Sequence, residues 1–145
     1  MLPYCMLKGK NLIEKVLELR EFDEDQAKIE LGKAIAETER IKEELRLIAE
    51  KRVQNTKSRF SSSDVMEQLA IENYITRLDS EKERLLEELA QAELVVEQKR
   101  SVFAEALKNR KVISKLKEKR TAEYKKDFYK TEENEIDDVF TSKQE

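Results

Sequence analysis

The stretch SRFSSSDVME, residues 58–67, is the one place in this chain that reads as a turn. Pro3, Gly9 and Gly32 are its only prolines and glycines, so residues 33–145 hold no strong helix breaker. Serine hydroxyls compete for backbone groups, which gives Ser61-Ser62-Ser63 weak helix propensity. Asp64 followed by Glu67 resembles a capping box, with Asp64 accepting from free amides and Glu67 reaching back. The pattern predicts a first helix over about residues 10–57, a turn over about 58–63 and a second helix over about 64–135. A short loop between two long amphipathic helices folds them antiparallel.

Periodicity supports the two helices. Positions 13, 17, 20, 24, 27, 31, 34, 38, 41, 45, 48 and 52 keep a 3,4 spacing, and eight of the twelve are apolar. Positions 71, 75, 78, 82, 85, 89, 92, 96, 99, 103, 106, 110 and 113 continue it, with ten of thirteen apolar. A 3.5-residue period over so many heptads marks a coiled-coil seam. The expected fold is all-α: a long antiparallel two-helix coiled-coil hairpin with a C-terminal helical overhang. Pairing residues whose numbers sum to 123, which centres the fold between Ser61 and Ser62, sets Ile48 with Ile75, Leu45 with Leu78, Ala34 with Leu89, and Glu24 with Lys99; sums of 116 and 130 are the alternative registers.

Composition agrees. Ala, Glu, Lys, Leu and Arg supply 80 of 145 residues, and 42% of the chain is charged. That bias with a helical period marks a coiled coil, and the regular apolar spacing separates it from disorder. The net charge is only −3. There is no histidine and Cys5 stands alone, which excludes Ser/His/Asp and Cys/His catalysis and any His-containing zinc site. A carboxylate-only site would need a walled pocket, which a thin hairpin does not offer. The reading is a non-enzyme without cofactor or metal. The single cysteine fits a reducing compartment. Met1–Leu7 is too short and wrongly flanked for a signal peptide, and no stretch has the apolar length of a membrane span. The expectation is a soluble protein, at most peripheral, with no direct membrane insertion.

Charge is unevenly spread. Lys108–Lys130 (KNRKVISKLKEKRTAEYKKDFYK) holds ten basic and three acidic residues, and the acidic tail over 131–145 holds six acidic and one basic. The basic run suits an acidic protein surface. Nucleic acid is the weaker reading, because the acidic tail would compete for the same lysines. Near the other terminus, Leu12, Val16 and Leu19 lie beside the Ile13/Leu17 seam, more than one partner helix can cover.

Lys15–Ala34 (KVLELREFDEDQAKIELGKA), Phe103–Lys130 and Glu132–Phe140 (EENEIDDVF) together resemble the flagellar export protein FliJ family. Lys15–Ala34 is similar to the family's N-terminal pattern, an apolar–Leu–x–Leu–Arg–Glu start followed by acidic and small apolar residues. Phe103–Lys130 is similar to its basic, Leu-punctuated C-terminal half. Glu132–Phe140 resembles its acidic close. The chain departs at Lys8-Gly9-Lys10-Asn11, where the family often has an aromatic–apolar–aromatic start. The resemblance implies a hairpin like the stalk of the rotary ATPase γ subunit, acting on the cytoplasmic side of the flagellar type III export apparatus. The partners it implies are the hexameric flagellar export ATPase, the export gate protein FlhA and the export chaperones. No family motif is sharp enough to carry a functional residue over one by one.

Candidate contacts are therefore assigned by position. For the ATPase ring they are Leu12, Val16, Leu19 and Arg20 with Lys115, Lys117, Lys119, Arg120, Lys125 and Lys126. For the export gate they are Glu37, Arg40, Lys42, Leu47, Phe60, Tyr74, Arg77 and Leu86. Competing classes are a virulence-type secretion stalk and a structural coiled-coil scaffold.

Overall fold

A computed structural model describes the backbone of residues 2–143 and the side chains of residues 11–143. Cys5 and the side chains of the apolar stretch at 1–7 lie outside the described residues, as do Gln144 and Glu145. Two helices make up the fold, α1 (Leu2–Ser61) and α2 (Val65–Lys143), and they pack against each other as a helical hairpin. Both are longer than the expected spans. Pro3 falls in the first turn of α1, where a missing amide donor costs no hydrogen bond. The acidic stretch after residue 131 stays helical to Lys143 because nothing in its sequence stops α2.

The turn is Ser62–Asp64. The Ser62 amide donates to the Ser58 carbonyl at 3.1 Å and the Ser61 hydroxyl donates to the same carbonyl at 3.1 Å, so the end of α1 is closed by serine chemistry. Asp64 caps α2: its Oδ1 accepts from the Met66 amide at 3.1 Å, and its carbonyl takes the first helical bond, from the Gln68 amide at 3.0 Å. The expected return contact of Glu67 takes another form. Its carboxylate accepts from the Ser62 hydroxyl at 3.0 Å, and that hydroxyl in turn accepts from the Asp64 amide at 3.4 Å. Gln68 adds a bond from its side-chain amide to the Ser62 carbonyl at 2.6 Å. The serine thus stands between the two members of the box.

Chain contacts divide the hairpin into two compact units, one of residues 27–103 and one combining residues 1–26 with 104–145. In the unit that holds the turn, Ile41, Ile48, Leu78 and Leu85 form the core, with Leu45, Leu89 and Ala92 packed against it. Ile41 and Leu85 are 2% and 1% exposed. Ile41 and Leu85, like Ile48 and Leu78, lie at equal sequence distances from Ser63. The register is displaced from one centred between Ser61 and Ser62, which would set Arg52 level with Ile71 and Arg59 level with Asp64. Arg52 crosses to Asp79 at 2.8 Å and Arg59 to Glu72 at 3.5 Å. Thr38 is the buried polar residue, and its hydroxyl donates to the Ile35 carbonyl at 2.7 Å, which removes the penalty of burying it.

In the unit that holds the termini, Leu17 is buried and Ile13 and Val16 are half-buried. Here Glu24 does not face Lys99. Arg110 Nε donates to its carboxylate at 2.6 Å in a half-buried pair, and Lys117 approaches Glu14 at 4.0 Å. Every buried residue among those described falls on the two 3,4 seams read from the sequence.

Candidate partner-binding surfaces

Two narrow helices make one narrow core, so most of the surface chemistry is turned outward. In the unit with the termini, Leu12 is 64% exposed and Leu19 is also exposed, whereas Val16 is half-covered and contributes less than its sequence position suggests. Arg20 is half-buried and lies 3.7 Å from Asp23. Phe22 is exposed too and was not singled out from the sequence. It lies ten residues beyond Leu12 and three beyond Leu19, which puts all three on the outward side of α1. That spacing was the available signal.

The basic residues separate into two kinds. Lys117 is shared with Glu14, and Arg110 is committed to Glu24. Lys115, Lys119, Arg120, Lys125 and Lys126 are exposed. Each residue from Ala122 to Lys143 is exposed, so the last part of α2 has no covering helix among the described residues. That stretch is the expected overhang.

In the other unit, Glu37 and Arg40 are brought together rather than left free. Arg40 donates from Nε to Glu37 at 3.0 Å, from its second nitrogen to the same carboxylate at 2.5 Å, and from its third to Glu44 at 2.5 Å. The hydrogen bond from Arg40 holds the Glu37 carboxyl below the ordinary carboxylate range. Arg46 makes the same arrangement with Glu43 and Glu50, and Arg84 with Glu81 and Glu88. All three triads have Glu three residues before and four residues after an arginine, the spacing at which helix neighbours meet. Glu37 and Arg40 therefore serve their own helix first. Lys42 lies 3.5 Å from Glu39, and Arg77 is exposed.

The apolar candidates Leu47, Tyr74 and Leu86 are partly exposed, all three at the lower end of the exposed class. Phe60 is different: it is 79% exposed, with the Arg59 guanidinium 5.0 Å above its ring. Around it the turn exposes Val65, Met66 and Leu69. The pattern of the sequence puts them at the start of α2. They are off the seam and follow the capping Asp64 directly.

No group of His, Cys, Asp or Glu among the described residues is arranged to hold a metal ion. No described helix is long and apolar enough to cross a membrane. The surface depressions, such as the one lined by Arg52, Thr76, Asp79 and Lys82, are open and shallow. A hairpin whose chemistry lies on outward faces, with a charged helix end left uncovered, belongs to the class of coiled-coil interaction proteins. The family model for the flagellar FliJ protein matches residues 10–144. The chain belongs to the FliJ family and is a component of the flagellar type III protein export apparatus. No curated protein and no solved structure matches it.

Proposed function

We propose that this chain is the coiled-coil stalk that links the export ATPase ring to the membrane export gate and assists chaperone turnover. The observation that carries the reading is the set of exposed cations along the later part of α2, Lys115, Lys119, Arg120, Lys125 and Lys126, on a chain that is acidic as a whole. Several exposed cations offer distributed, individually weak attraction to acidic subunit surfaces. Such a contact can be re-made as subunits hydrolyse ATP, which a single tight lock could not. The apolar face at Leu12 and Leu19 supplements it.

The unit that holds the turn would meet the gate protein FlhA. Phe60, with Val65, Met66 and Leu69, supplies exposed apolar anchors of the kind that dominate interface energy, and Tyr74, Leu47 and Leu86 flank them in sequence. The stalk contributes no catalysis of its own in this reading, and it works on the cytoplasmic side of the membrane.

The reading is tested by capturing the flagellar export ATPase on this chain over a range of salt. Binding through exposed lysines should weaken steeply as salt rises from about 0.05 to about 0.5 M, because screening shortens the reach of surface charge. Capture that is indifferent to salt would remove the basic surface from the contact.

A further inference from the structure

The end of α2 carries more than charge. Tyr124, Phe128, Tyr129, Ile136, Val139 and Phe140 are all exposed. At about 100° per residue they fall within an arc of about 160°, and the opposite side of this segment holds only polar and charged residues. An amphipathic helix with an uncovered apolar face is incomplete. The middle of that face holds two opposite charges one heptad apart, Lys125 and Glu132. Midway between them lie Phe128 and Tyr129, whose rings meet edge to face with centroids 6.2 Å apart.

This arrangement is self-complementary in one direction only. We infer that residues 119–140 of α2 pair antiparallel with the same segment of a second copy, about a two-fold axis between Phe128 and Tyr129. The Phe128 rings then face each other across the axis on one side, and the Tyr129 rings on the other. Lys125 of each copy meets Glu132 of its mate, twice in the pair. Further out, Lys119 comes level with Asp138 and Arg120 with Asp137, and Ala122 lies one residue from the level of Ile136, on the Tyr129 side of the axis. A parallel pairing would set Lys125 on Lys125 and Glu132 on Glu132, and like charges in one layer oppose association. The pairing goes beyond the stalk reading and uses Lys125, so a paired copy could not offer that residue to the ring.

The test needs no other protein. Full-length chain at about 100 µM in low salt is sized by sedimentation, alone and as Lys125→Glu, Glu132→Lys and their equimolar mixture. The wild type should be a dimer. Each single variant sets like charges against each other and should weaken association about tenfold or more. In the mixed pair, both carboxylates of the Lys125→Glu chain face lysines of the Glu132→Lys chain, so opposite charges meet twice again and the mixture should dimerise. In a Cys5→Ser background, Ala122→Cys mixed with Ile136→Cys should form a disulfide-linked pair, and Ala122→Cys alone should not. A wild type that stays monomeric overturns the pairing and leaves the face to a partner of other chemistry. So does a mixture that behaves like its components, or cross-linking of Ala122→Cys with itself. Circular dichroism on each variant checks that an altered size is not lost helix, and the exposed positions predict unchanged spectra.

Discussion

Gly32 sits inside α1 with an ordinary helical backbone, and a methyl group added there would meet nothing within 4 Å. Glycine in a helix interior pays extra chain entropy with no steric return. Gly32→Ala should therefore stabilise the protein by about 0.5–1 kcal/mol. A lower melting temperature in that variant would mean the position needs its glycine for something other than folding. Charge at the residue scale has a sign that can be followed. The hydrogen bond and charge of Arg52 hold the Asp79 carboxyl below its ordinary value. A group with a depressed pKa in the folded state adds stability above its unfolded pKa, and that stability is lost as pH falls through the folded value. Wild type should thus exceed Arg52→Gln in stability near pH 7, and the gap should narrow in strong acid, as Asp79 takes up its proton. The pair is exposed, so the gap is small, and denaturant titrations under both conditions read it directly. A gap that persists in acid would show that Arg52 acts through packing of its stem instead.

At the scale of elements, the turn is set by Asp64 and Ser62 acting together. Asp64→Ala removes the acceptor for the Met66 amide and should cost about 1 kcal/mol, measured by chemical denaturation. Unchanged stability would mean that the Ser62–Glu67–Gln68 contacts hold the turn without the cap. The seams were readable before any coordinates because burial in a two-helix hairpin leaves only one stripe per helix, and each buried residue lies on it. The register was readable only roughly. Any two 3,4 patterns match at several offsets, and the turn sequence alone does not choose among them. Glu24 pairs with Arg110 rather than Lys99. The sequence places a charge at 24 on the seam, but long arginines reach along the helix to partners that layer counting misses. Of the candidate surfaces, Leu12, Leu19, Phe60 and the lysines were legible because apolar or cationic residues off a seam have nowhere to hide. The commitment of Glu37 and Arg40 to each other is a local helix pairing, also legible in principle at their three-residue spacing. The first-turn residues Val65, Met66 and Leu69 were hidden by their place at a helix start, where a seam and an outer face look alike over so few residues.

For the whole molecule, membership of the FliJ family fixes the apparatus, and it is the stalk reading that seeks an ATPase contact at the exposed charge. The basic run from Lys108 and the acidic stretch after Thr131 lie on one continuous helix, so neither can fold back to neutralise the other along it. Apart from Arg110 and Lys117, which pair with α1, their charges remain available to partners, whether the ring, as the stalk reading has it, or a second copy. These uses share residues and are separable, because dimerisation is read without the ATPase and stimulation is read with it. The most direct test of the stalk reading is the ATP hydrolysis rate of the flagellar export ATPase with this chain, against a variant with Lys115, Lys119, Arg120, Lys125 and Lys126 all changed to Gln. These five side chains are exposed, so the variant should keep its helicity. The account predicts that the wild type stimulates hydrolysis and that the variant loses most of that effect. Equal stimulation by both, or none by the wild type, would contradict it.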